Sequence, residues 1–305
     1  MKIPRFSIAV FALLPLTGCF TGIESTPKIT ASDVRRENAL PTTEDGFLAK
    51  VTPSPFKEWT TGKHFHVTDD KVSLIFGPTL KPGTKLAGKT ITYDSATTSA
   101  DFTGREVTDL TFVTPDGQRP VYRINRDIST DSTSPEVPFT IQESIIKDAR
   151  ILLQGKRLYI MTSQWRDSLD RITGGRKFVP VTITDIGYGT ANYPIRVTFT
   201  DDGSGKEAML FLSTGDDTKS SRRFAAQFSL DNPRKRYPAI TDETWALIID
   251  GKLRQGMTRD ECRLSLGAPN DVDRAAGYNA MHEVWSYENG IYLIFEDGLL
   301  KTFRH

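Results

Sequence analysis

Apolar and polar residues alternate with a period of two through most of the chain between residues 56 and 230. Phe65 and Val67, then Val72, Leu74 and Phe76, carry large apolar side chains between polar neighbours. Leu110 and Phe112, Val197 and Phe199, and Met209 and Phe211 repeat the pattern. This period marks half-buried strands. Asp116-Gly117 and Asp202-Gly203 sit between apolar runs, where hairpin turns belong. A short helix is predicted over 142–150, behind a polar linker at 129–138.

From Thr241 the pattern changes to helical spacing. Thr241 is placed to cap a helix with Trp245, Leu247, Ile248 and Ile249, ended by Gly251. Thr258 and Glu261 have the spacing of a capping box for a second helix. Cys262 and Leu266 lie one turn apart on it, and Gly267 with Pro269 stops it. A polar loop and three strands follow, near 283–287, 291–295 and 299–304, joined at Asn289-Gly290 and Asp297-Gly298.

The β region repeats itself. Gly62-Lys63-His64-Phe65-His66-Val67 matches Gly155-Lys156-Arg157-Leu158-Tyr159-Ile160. Thr90-Ile91-Thr92-Tyr93-Asp94 matches Val181-Thr182-Ile183-Thr184-Asp185, and Thr111-Phe112 matches Thr198-Phe199, in the same order. The expectation is a mainly β chain with an α+β C-terminal domain. Two small antiparallel β units, similar to SH3-like barrels, occupy 56–128 and 139–230 with the helix before the second. An ααβββ domain occupies 240–305.

The N-terminus reads differently. Lys2 and Arg5 precede an apolar run over 6–16, too short to cross a bilayer as a helix, which takes roughly 20 apolar residues. Leu16-Thr17-Gly18-Cys19 closes the run, and it resembles the bacterial lipoprotein box. That resemblance implies a signal peptide over 1–18, cleaved before Cys19, and a membrane anchor of diacylglyceryl and acyl chains on the Cys19 thiol, as in palmitate-bearing lipoproteins. Acyl chains gain about 0.8 kcal/mol per buried methylene, so several hold a protein firmly. Phe20 in place of Asp implies the outer membrane, its periplasmic face ahead of its surface. Residues 19–55, rich in Thr, Ser, Pro and Glu, read as a flexible tether.

Gly256-Met257-Thr258, Leu266-Gly267-Ala268-Pro269, Trp285-Ser286-Tyr287 and Leu293-Ile294-Phe295-Glu296-Asp297-Gly298-Leu299 together resemble the BamE (SmpA/OmlA) family. These are small outer-membrane lipoproteins with an ααβββ fold that support β-barrel insertion and envelope maintenance. The resemblance implies an interaction or scaffold module whose partners are envelope proteins. Trp285 and Tyr287 are its candidate contact residues, together with exposed edge strands.

Composition removes several classes. With Lys2 and Arg5 cleaved, the 39 basic residues fall to 37 against 38 acidic ones, so no nucleic-acid-binding face is expected. Once Cys19 is acylated, Cys262 stands alone and is expected to be buried. Gly83-Thr84-Lys85-Leu86-Ala87-Gly88-Lys89-Thr90 spells a P-loop, but Ile91-Thr92-Tyr93 continues as strand, so no nucleotide site is expected. His64 and His66 share a strand face without a third ligand nearby, so no metal is expected. Ser204 lacks a nucleophile elbow, and no cofactor or catalytic residue is assigned. The chain is read as a non-enzyme. The alternatives are an enzyme acting on envelope polymers and a surface-displayed structural lipoprotein.

Overall fold

The computed structural model describes residues 42–276 and 281–304. Cys19, the signal-like segment and the tether up to residue 41 lie outside the described residues. The chain is mainly β, with antiparallel sheets and short helices.

Two five-stranded sheets share one strand order. The first contains β1 (His64–Val67), β2 (Thr90–Ala100), β3 (Glu106–Val113), β4 (Val121–Ile124) and β5 (Thr140–Gln142), ordered β4-β3-β2-β1-β5. The second contains β6 (Arg157–Ile160), β7 (Val179–Tyr188), β8 (Ile195–Asp201), β9 (Glu207–Leu212) and β10 (Phe228–Ser229), ordered β10-β6-β7-β8-β9. Reversed, this is the same meander, with the late strand beside the first.

The likeness extends to single hydrogen bonds. Gly62 donates its amide to Tyr93 O and Gly155 donates to Ile183 O, each at 2.9 Å. Both glycines hold positive φ, 96° and 76°, which a side chain would strain. β2 shifts register between Tyr93 and Ser95, and β7 between Ile183 and Asp185. Phe65 pairs with Ile91, and Leu158 with Val181. The pairing therefore matches Ile91 to Val181, one residue away from the match that the bare sequence gives. A one-residue slip would turn Ile91 and Tyr93, both buried, to the outside.

Each sheet closes over its own core. In the first, Trp59, Phe65, Phe76, Tyr93 and Phe112 make an aromatic centre, with Phe65 edge-on to Phe112 at 5.4 Å. In the second, Trp165 stands edge-on to Phe199 at 5.2 Å. Gly175 lies under that indole, and a Cβ there would come within 1.9 Å of it.

Three sequence expectations are corrected. Val72, Leu74 and Phe76 lie in a helix, α1 (Val72–Phe76), rather than a strand. Over five residues an i, i+2, i+4 pattern fits both periods. Here Val72 and Phe76 face inward one turn apart, and Leu74 is 75% exposed. The tether does not reach residue 55. Leu48 and Val51 are buried in the second core, Phe47 stacks on Phe224 at 4.5 Å, and Gly215 donates to Val51 O at 2.9 Å. The stretch 129–138 is not a free linker: Val137 joins the first core, and Thr133 O accepts the amide of Phe56 at 3.1 Å.

The predicted helix is α2 (Glu143–Leu153), with Ile145, Ile146, Ala149 and Leu153 buried. A one-turn α3 (Phe224–Gln227) leads into β10. The C-terminal region opens with α4 (Asp242–Ile249) and α5 (Arg259–Leu266). Thr241 caps α4, and Thr258 with Glu261 forms the full capping box of α5. Four strands follow, not three: β11 (Asp271–Ala276), β12 (Met281–Ser286), β13 (Tyr292–Glu296) and β14 (Leu299–Arg304), in that order. β11 was read as polar loop because Asp271, Asp273 and Arg274 leave it no apolar period. Backbone pairing with β12 recruits it.

Candidate functional site

Trp285 and Tyr287 stand on β12 and just after it, and the structure places both inward. Trp285 is fully buried, tilted against Phe295 at 4.7 Å, with the Arg263 guanidinium 4.9 Å from its ring centre. Its indole N–H donates to Glu283 Oε1 at 2.5 Å. Tyr287 is half-buried, and its hydroxyl donates to Gly267 O at 3.2 Å. Burial, then the neighbouring Cys262, pushes the Tyr287 phenol up to about 12. The expectation that Trp285 forms a contact surface is therefore corrected. Alternation along β12 aims Glu283 and Trp285 at the covering helices, and Tyr287 packs against the same core.

Glu283 is the charged centre beneath α5. It is 2% exposed and faces Arg259 at 3.2 Å and Arg274 at 3.4 Å. Burial pushes its carboxyl up, but the Trp285 and Arg274 hydrogen bonds and the two guanidinium charges outweigh this and hold it low. It is a fixed acceptor, not a proton shuttle. Cys262 is fully buried, and burial raises its thiol to about 12. A thiol so raised is no nucleophile at neutral pH.

Other motifs dissolve in the same way. In the P-loop-like stretch the amides of Leu86 and Ala87 donate to Asp70 Oδ1 at 2.8 and 2.9 Å, with Lys85 3.3 Å from the same carboxylate. The chain's own anion occupies the place a phosphate would need, and no helix follows. His64 bonds Glu143 at 2.7 Å, whereas His66 stacks on Tyr188 at 3.8 Å. Ser204 donates to Asp201, which is itself clamped by Arg176. No group of three metal-ligating side chains occurs among the described residues. Two sheet edges are each met at one residue. Thr79 exchanges hydrogen bonds with Val121 on β4, and Arg166 pairs with Met209 on β9.

The basic stretch after residue 230 builds a joint. Arg234 donates to the carbonyls of Tyr237 and Ile240 and lies 5.2 Å over the Trp245 ring. Trp245 also meets Tyr237 at 5.9 Å and, from the second sheet, Phe178 at 5.4 Å. Beside this joint the segment 236–240 and α5 enclose an open groove of about 530 Å³, with Tyr237, Pro238, Ile240 and Leu264 among its walls. Arg236 and Arg263 stand on its rim with Asp260 and Glu261. The sequence does not reveal this groove, because its two walls, the segment 236–240 and the flank of α5, are brought together only by the fold. It can hold an extended chain segment; it gathers no acid–base pair.

No family model matches the chain, and neither a curated protein nor a solved structure does.

Proposed function

We propose that the protein is a lipid-anchored envelope component that binds other proteins. In this reading Cys19 is acylated and fixes the chain to the outer membrane, facing the periplasm. The two β units are SH3-like, and the C-terminal domain is a BamE-like module that carries a fourth strand, β11. Leu16-Thr17-Gly18-Cys19 at the end of an apolar run is the observation that carries the location. The groove between 236–240 and α5 supports binding, since it offers apolar walls with a polar rim, as interface cores do.

Two measurements test the reading. Mass spectrometry of the native protein is expected to find an acylated Cys19 as the first residue. An unmodified Cys19 would remove the anchor. Crosslinking in intact envelopes is expected to recover barrel-assembly components with the wild-type chain and to lose them with Cys19→Ser. A Leu264→Glu chain, still anchored but with a charge in the groove wall, is expected to lose the same partners. Capture unchanged by Leu264→Glu would clear the groove of any role.

A further inference from the structure

Lys177 and Phe178 lead into β7, where the Phe178 amide donates to Ile160 O at 2.6 Å, but their side chains pack on the C-terminal module. Phe178 packs on that module's core, its ring stacked on Trp245 at an interplanar angle of 28°. The Lys177 amide donates to Ile249 O at 3.3 Å, and its ammonium donates to Ser265 O at 2.5 Å. Ile249 is the last residue of α4, and Ser265 sits in the last turn of α5. Carbonyls there lack helical partners and carry the negative end of the helix dipole. Two helix ends and an aromatic shelf thus make a seat for a cation followed directly by a ring.

The pair that fills this seat is held at a cost. Phe178 has φ = 60°, which a bulky side chain rarely adopts. Lys177 is 8% exposed, and among the described residues no carboxylate forms an ion pair with it. Left-handed backbone at a bulky residue persists only where the surroundings over-determine it. A separate segment could bring the same two side chains without that backbone angle.

We propose that this seat is a recognition site for a basic–aromatic pair, occupied in cis by Lys177 and Phe178, and that an exposed Lys-aromatic or Arg-aromatic segment of a partner protein displaces them. The proposal rests on the reading of the chain as a binding protein and names the chemistry of its partner. Trp245 selects the ring; the carbonyls of Ser265 and Ile249 select the cation and the backbone amide.

The test uses the full chain carrying Cys19→Ser and a labelled peptide with the sequence of residues 174–181. Lys177→Ser combined with Phe178→Gly empties both the cation seat and the shelf, and glycine accepts the positive φ. The peptide is expected to bind this double variant at least about tenfold tighter than wild type, because the tethered competitor is gone. Replacing the peptide's Phe by Ala, or its Lys by Glu, is expected to abolish binding. Equal binding to both proteins, binding indifferent to those peptide changes, or no binding overturns the proposal. Hydrogen exchange on the wild-type chain supplies a second readout that needs no variant. Excess peptide is expected to speed exchange at the Lys177 amide while the ends of α4 and α5 stay protected. No change there also counts against the site. The assay contains no membrane, so its failure leaves the anchoring reading standing, and an unacylated Cys19 leaves the seat standing.

Discussion

Lys177 shows how burial turns one side chain into a pH-sensitive group. Burial draws its ammonium down to about 8, against roughly 10.4 in an unfolded chain. Between those values the unfolded chain binds more protons, so stability rises with pH across that window. The penalty is full below pH 8 and gone above about 10.4. Lys177→Met removes the titration. Urea unfolding at pH 7.5 and 9.5 is expected to show wild type gaining on the variant by about 1–2 kcal/mol at the higher pH. A constant difference would mean that the ammonium is better solvated than its contacts imply. Cys262 makes the opposite kind of prediction. With its thiol at about 12 and no exposed surface, it is expected to resist alkylation at pH 8 until urea unfolds the chain. The burial of Cys262 was legible from its place one turn from Leu266. The inward turn of Trp285 was not, because an aromatic residue on a strand fits a core or a surface equally until something covers the sheet.

At the scale of elements, local chemistry predicted what it controls. The capping box of α5 forms as its spacing required, with Glu261 Oε2 accepting the Thr258 amide at 2.7 Å. Thr258→Ala is expected to cost about 1 kcal/mol, read by urea unfolding. The duplicated Gly-Lys starts and the turns at Gly117, Gly290 and Gly298 were visible for the same reason, that positive φ demands glycine locally, whereas at Asp202-Gly203 the positive φ falls on Gly205. α1 and β11 were misread because their identity is not local. α1 is decided by which of its residues meet Phe112, and β11 by a neighbour that offers free backbone groups. The segment 42–51 is the sharpest case. Its polar composition suggests a tether, yet Leu48 and Val51 complete the second core and Glu44 Oε1 accepts from Ser229 and Leu230. Leu48→Ala is expected to destabilise the protein by roughly 2–5 kcal/mol in urea unfolding, as for a core position. A loss below about 0.5 kcal/mol would return the segment to the tether.

For the whole molecule, the described residues form three hydrophobic cores, the second reaching back past the first to Leu48 and Val51, and the joints between them carry the unusual features. His66 stacks on Tyr188 where β1 meets β7, and Phe178 stacks on Trp245 where the second sheet meets the C-terminal module. The sequence by itself determined the mainly β class, the repeat and the two capped helices. Each of these is set by neighbours within a few residues or by a period along the chain. Only the tertiary structure decided that residues 42–51 belong to the fold, that Trp285 faces inward, and that Lys177 and Phe178 sit on the ends of α4 and α5. Those contacts join residues far apart in the chain, and packing energy, which no local pattern encodes, selects them.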